Sequence, residues 1–130
     1  MSGGSKFQTP LGRVRGLGSA RTGTDHFWRQ RLTAVANVPL TIAFVVIVVS
    51  LLGRNHAYVV QTLASPLVAM LMLLFIGSST YHMRIGMQVI IEDYVHDEVP
   101  KLLLLMLNTF FTIAIALACA YAIFKLSFGV

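Results

Sequence analysis

Residues 67–94 read LVAMLMLLFIGSSTYHMRIGMQVIIEDY, and this stretch decides the fold. Its first part, 67–77, is apolar, whereas the rest places hydroxyl, imidazole, guanidinium and amide groups among apolar side chains. The run to which it belongs, about 61–91, is long enough to cross the roughly 30 Å hydrocarbon core of a membrane as a helix. Lipid does not solvate polar side chains, so the polar part is expected to face other helices or a cofactor.

Two further apolar runs without charge flank this stretch. They cover about 32–52 and 102–124, with 21 and 23 residues, and each is long enough to span the membrane. The sequence therefore predicts an all-α membrane protein with three transmembrane helices. A short turn is predicted at 53–60. Residues 1–24 are expected to form a polar N-terminal tail, and residues 25–130 the membrane anchor domain.

The composition also points to a membrane protein. Of the 130 residues, 56% are hydrophobic and only 12% are charged, and the mean hydropathy is +0.76. A soluble domain would carry about 25% charged residues. The single cysteine, Cys119, lies in an apolar run and is expected to be a small packing residue.

The basic residues are concentrated at one end of the chain. The net charge is +5, and six of the ten Lys and Arg residues precede residue 32. Such asymmetry follows from membrane topology, so it predicts an N-terminus on the cytoplasmic or matrix side and no nucleic-acid partner. The glycines of the tail argue against a transit helix. A multi-pass protein of the bacterial inner membrane is therefore predicted over one of the mitochondrial inner membrane.

A histidine inside the second span is the first candidate site residue. His82 and Asp93 are eleven residues apart, which places them on one helix face, about 16 Å apart along the axis. His82 has two interpretations: a hydrogen bond to another helix, or an axial haem ligand whose Nδ1–H meets a carbonyl or water. Gly86 leaves room for a flat macrocycle, and Ser78 offers a hydroxyl. The second ligand would come from another subunit.

Asp93 and Tyr94, at the inner end of the same span, also have two interpretations. They are either a solvated helix end, or a quinone site in which the phenol donates a hydrogen bond and the carboxylate orients it or passes protons. Arg31 and Arg84 are candidates for pairing with haem propionates or with acids of a partner. Snorkelling is the alternative for Arg31.

These motifs resemble a known family. A second-helix histidine followed eleven residues later by Asp-Tyr, and Arg31-Leu32-Thr33-Ala34 at the start of the first span, resemble the D-type hydrophobic membrane anchor of succinate dehydrogenase, respiratory complex II. The resemblance implies that His82 is an axial ligand of haem b. It also implies that Tyr94 hydrogen-bonds the ubiquinone head with support from Asp93, and that Arg31 lies near the haem propionates.

The larger anchor of the same complex is a nearby alternative. Its pattern is His-x-x-x-Gly-x-Arg-His, which His82 and Gly86 fit and which Gln88 and Val89 do not. Gln88 also stands where some D-type members carry an aromatic residue. The Asp-Tyr ending favours the D-type.

The resemblance implies a subunit that is not catalytic alone. It would pass electrons from the iron–sulfur subunit to ubiquinone in succinate:ubiquinone oxidoreductase. The implied partners are a C-type cytochrome b anchor subunit, the iron–sulfur subunit, the flavoprotein subunit and the lipid membrane. Two alternatives stay open: the anchor of a fumarate reductase, and a small proton-conducting transport subunit using His82, Arg84 and Asp93.

Overall fold

The structure, a computed structural model, describes residues 9–16 and 22–129. The described residues form helices and no strand, which confirms the predicted all-α fold. The helices are α1 (Pro10–Val14), α2 (Thr22–Leu51), α3 (His56–Ala64), α4 (Pro66–Tyr94) and α5 (Glu98–Phe128).

Three of these helices are long and apolar enough to cross a membrane. They are Thr24–Leu51, Pro66–Tyr94 and Glu98–Phe128, with 28, 29 and 31 residues. At about 1.5 Å per residue each exceeds the roughly 30 Å hydrocarbon core, so their ends reach the headgroup layers. The prediction of three spans is confirmed.

The predicted N-terminal tail, residues 1–24, lies largely outside the described residues. Within it, Pro10–Val14 forms the single turn of α1, and α2 already begins at Thr22. The first membrane helix therefore starts about ten residues before the apolar run at residue 32. The polar residues of this extension include Arg29 and Arg31.

The connection between the first two spans differs from the expectation. A turn was expected at 53–60 and a single span at 61–91, whereas the structure has a separate helix, α3, before α4. Apolar residues continue across the boundary between α3 and α4, so hydropathy alone merges the two helices. The second span therefore starts at Pro66.

Local signals explain this break. The Asn55 side chain caps α3 by accepting a hydrogen bond from the backbone N–H of Tyr58 at 2.9 Å. Ser65 is extended, with φ −64° and ψ 137°, because the residue before a proline is displaced from the helical region. Pro66 then suits the first position of α4, where no N–H is needed.

Helix α4 lies in the middle of the fold. It packs against α2 on one side and α5 on the other, and α3 packs across α4 and α5. Stacked rings of Phe44 and Phe75, with centroids 4.6 Å apart and planes at 14°, join α2 to α4. Few apolar side chains of the described residues are buried, and Ile85, at 4% exposed, faces the inside of the fold. The remaining apolar surface suits lipid or other membrane helices.

Candidate functional site

The helices α2 and α4 meet along a row of polar side chains. On α2 these residues recur every four positions and so share one face. They are Arg29, Thr33 and Asn37. Their hydrogen-bonding partners on α4 are Tyr81, His82 and Ser79, respectively. Three polar side chains of the second span therefore face the first span, as the sequence predicted for side chains that lipid does not solvate.

The His82 imidazole makes the shortest of these contacts. Its Nδ1 lies 3.0 Å from the Thr33 hydroxyl oxygen, whereas the other two pairs are 3.5 Å apart. The same hydroxyl lies 2.9 Å from the backbone carbonyl of Arg29 and 3.1 Å from that of Gln30. The hydrogen-bond partner of Nδ1 within this chain is thus a threonine hydroxyl. The sequence prediction had named a backbone carbonyl or water instead.

Space and an unused polar group lie one turn to either side of His82. The Ser78 hydroxyl, four residues before, is buried and has no hydrogen-bond partner in the described chain. Gly86, four residues after, is open on its side-chain face, where an added Cβ would meet no atom within 4 Å. The imidazole itself is half-buried. A planar group placed against this side of α4 would meet no side chain at Gly86.

A small polar cavity adjoins the same interface. It has a volume of about 90 Å³, and its polar lining residues are His26, Arg29, Tyr81, Arg84 and Gln88. Arg29 Nη1 donates to the Tyr81 hydroxyl at 3.5 Å. The lining holds two guanidinium groups and no carboxylate, so it favours an anionic group.

Arg31, the arginine named by the sequence prediction, lies elsewhere. It is exposed, and its guanidinium sits over the Phe27 ring, 5.2 Å from the ring centroid. Side chains two positions apart on a helix point in directions that differ by about 200°, so Arg31 and Arg29 lie on opposite faces of α2. Arg31 is absent from the lining of the polar cavity, and Arg29 is present. A role of Arg31 near haem propionates stays a prediction.

Asp93 and Tyr94 end α4 as exposed side chains, and Tyr94 is 79% exposed. No side-chain hydrogen bond ties either residue to the part of the chain that the structure describes. Tyr94 is twelve residues beyond His82, which places it about 18 Å along the axis and about 120° around the helix. The structure therefore brings His82 together with Thr33, and leaves the Asp-Tyr pair at a separate, open position.

Helix α5 holds the other side of α4. The Asn108 side-chain amide donates to the backbone carbonyl of Arg84 at 3.0 Å. Lys101 Nζ donates to the backbone carbonyl of Glu92 at 3.2 Å, and the Glu92 carboxylate accepts from Gln88 Nε2 at 2.8 Å. These contacts fix the end of α4 that carries the Asp-Tyr pair.

Comparison with known proteins gives the family. Residues 5–120 match the family model described as "Succinate dehydrogenase/Fumarate reductase transmembrane subunit". The chain belongs to this family. No solved structure matches it.

Relatives of this family resemble the chain over nearly its whole length. The succinate dehydrogenase hydrophobic membrane anchor subunit of Paracoccus denitrificans is 28% identical over 124 residues, covering 95% of each chain. Subunits with the same name in Rickettsia bellii (strain RML369-C) and Rickettsia conorii (strain ATCC VR-613 / Malish 7) are 26% and 27% identical over 91% of this chain. The predicted resemblance to a succinate dehydrogenase membrane anchor is confirmed.

Proposed function

We propose that the chain anchors succinate:ubiquinone oxidoreductase in the membrane, supplies one axial ligand to haem b through His82, and forms part of the ubiquinone site. The observation that carries the haem assignment is the state of the imidazole. Nδ1 is bound to Thr33, and Nε2 has no hydrogen-bond partner among the described residues. A half-buried imidazole with one nitrogen held and the other unpaired is the arrangement of a metal-bound histidine.

The surroundings of His82 fit a haem. The open side of Gly86 leaves room for the macrocycle, and the unpaired Ser78 hydroxyl provides a polar atom one turn away. Among the described residues, no three His, Cys, Asp or Glu side chains come together to hold a metal ion. A bis-histidine haem needs only one ligand from this chain. A bound haem b supplies one-electron redox chemistry; the protein supplies its ligand, its orientation and its electrostatic environment.

The haem carboxylates require positive partners. Arg29 and Arg84 line the polar cavity next to Tyr81, the residue before His82, and its lining of two guanidinium groups and no carboxylate suits the haem carboxylates. Arg31 could reach the same groups only by leaving the Phe27 ring. We therefore assign the main contact to Arg29 and retain Arg31 as a secondary candidate.

Tyr94 and Asp93 are proposed to bind the ubiquinone head. The phenol donates a hydrogen bond to a quinone carbonyl, and the carboxylate orients the phenol or passes protons from water. Their exposure at the end of the span supports this assignment, because reduction to the quinol consumes two protons that must come from water. The site is completed by partner subunits, since Tyr94 meets no partner within the described chain.

The remaining partners follow from the same assignment. A C-type cytochrome b anchor subunit supplies the second axial histidine, and the iron–sulfur and flavoprotein subunits dock on the inner side of a bacterial inner membrane. Electrons then pass from the iron–sulfur subunit to ubiquinone. The family description also names fumarate reductase, so the anchor of a fumarate reductase is the alternative assignment. The proton-conducting alternative, which uses His82, Arg84 and Asp93, predicts a complex without haem.

An optical spectrum of the purified complex tests the haem assignment. The dithionite-reduced wild-type complex is expected to show b-type absorbance, and His82→Ala is expected to lose it while the protein still inserts into the membrane. His56→Ala, a histidine at the start of α3, is the matched control and should keep the absorbance. A colourless wild-type complex, or full haem content in His82→Ala, would refute the assignment.

A further inference from the structure

We propose that Thr33 is a positioning residue for His82: its hydroxyl accepts a hydrogen bond from Nδ1–H and so leaves the lone pair of the imidazole on Nε2. This inference rests on the proposed function, in which Nε2 meets the haem iron. Thr33, on the first span, would thereby set the orientation and the tautomer of His82, on the second span.

The hydrogen-bond count at Thr33 decides which group donates. The hydroxyl has one hydrogen and three neighbours within reach: the Arg29 carbonyl at 2.9 Å, the Gln30 carbonyl at 3.1 Å and His82 Nδ1 at 3.0 Å. If the hydrogen pointed at Nδ1, the hydroxyl oxygen would face two carbonyl oxygens at these distances with no proton between them. Two acceptors in such close contact repel each other, so the hydrogen belongs on the carbonyl side.

The helix itself favours this arrangement. A threonine in a helix commonly donates to the carbonyl three or four residues before it, and it does so without any help from a neighbouring helix. The hydroxyl lone pairs then point away from the axis of α2, toward α4. The nitrogen that meets them must carry a hydrogen, so Nδ1 is the N–H and Nε2 is the lone-pair nitrogen.

Two consequences follow for a metal-bound ring. The bond holds the imidazole in one rotation, and donation from Nδ1–H makes Nε2 a stronger electron donor to a metal ion. A stronger donor stabilises ferric over ferrous haem, so the contact holds the haem potential low. A merely structural link between α2 and α4 would have no such effect on the potential.

The test is carried out in the purified complex with three variants. Thr33→Val keeps the shape and removes the hydroxyl, Thr33→Ser keeps the hydroxyl, and Thr109→Val is the matched control. Thr109 is also half-buried and also donates to the carbonyl four residues before it, Leu105, at 2.9 Å, but it makes no hydrogen bond to another side chain in the described chain. Redox titration of the haem and the rate of haem transfer to apomyoglobin are measured.

Thr33→Val is expected to shift the haem midpoint potential to a more positive value and to weaken haem retention by about 10- to 100-fold. Thr33→Ser should keep the wild-type potential and the wild-type haem retention, and Thr109→Val should change neither property. If Thr33→Val prevents assembly, Thr33→Ala is used instead. It removes the hydroxyl without putting a methyl group in its place, and the same results are expected.

The proposal is overturned if Thr33→Val leaves both the potential and the transfer rate unchanged. It is equally overturned if serine fails to rescue, or if Thr109→Val produces the same changes. Loss of the proposed function itself has a different signature: a wild-type complex without b-type haem, or haem retained in His82→Ala.

Discussion

Arg29 and Arg31 form a matched pair for testing the electrostatics of the proposed haem site. Arg29→Gln and Arg31→Gln each remove one positive charge from the same turn of α2. Arg29 lines the polar cavity beside Tyr81, whereas the Arg31 guanidinium lies over the Phe27 ring. We expect Arg29→Gln to weaken haem retention clearly and Arg31→Gln to have a small effect.

The size of the effect follows from the kind of contact. A hydrogen bond to a charged group contributes about 1.5–3 kcal/mol. Arg29 is exposed in the isolated chain and shares the cavity with Arg84, so the lower end applies, about 1.5 kcal/mol or roughly tenfold in retention. Removing a positive charge near the haem also disfavours the reduced form, so the midpoint potential should fall.

Haem transfer to apomyoglobin and redox titration, each at low and high ionic strength, measure both expectations. High salt should reduce the differences in haem retention and midpoint potential between Arg29→Gln and the wild type, because exposed charges are screened over about 8 Å at physiological ionic strength. If Arg31→Gln weakens retention as much as Arg29→Gln or more, the assignment based on the cavity is refuted and the sequence-based choice of Arg31 is supported.

Two further changes probe the quinone site and the helix interface. Tyr94→Phe should slow quinone reduction up to about tenfold, the loss of one hydrogen bond, while succinate oxidation by an artificial acceptor stays normal. Equal loss of both activities would exclude the quinone role, and Tyr58→Phe on α3 is the control. Ile85 is 4% exposed, so Ile85→Ala should leave a cavity and lower the stability of the fold by about 2 kcal/mol or more. The measurement is the melting temperature of the complex, which should fall. Ile42→Ala, at a position 61% exposed on α2, should change it little, and similar losses in both variants would show that Ile42 is also packed.

The sequence predicts the spans well because membrane thickness sets the length of an apolar run. It misses the break between α3 and α4, since mostly apolar residues lie on both sides of Ser65 and Pro66. Pro66 could have predicted the break, because a proline disfavours a helical conformation in the residue before it and is favoured at the first position of the next helix. Polarity alone therefore gave the number of spans, and local backbone chemistry gave the boundary.

The candidate site was predictable on one helix and hidden on the other. His82 stands out because an imidazole within a span is rare. Arg29 does not stand out, and Thr33 appears only as a member of the motif around Arg31, since the contacts of both depend on how α2 is rotated against α4. The four-residue spacing of Arg29, Thr33 and Asn37 was visible in the sequence and marks one face, but only packing shows which helix that face meets. The motif around Arg31 drew attention to an arginine that points away from this interface.

The contact between Thr33 and His82 also bears on how the subunit is made. The two residues are separated by 49 positions, and the rest of α2, all of α3 and the first half of α4 lie between them. Helix α2 is synthesised before α4, so the hydrogen bond that orients the ring forms only once the two helices have packed together. Under the proposed function, haem binding then depends on the packing of α2 against α4, because a subunit in which these helices have not packed has a misoriented ligand and does not retain haem.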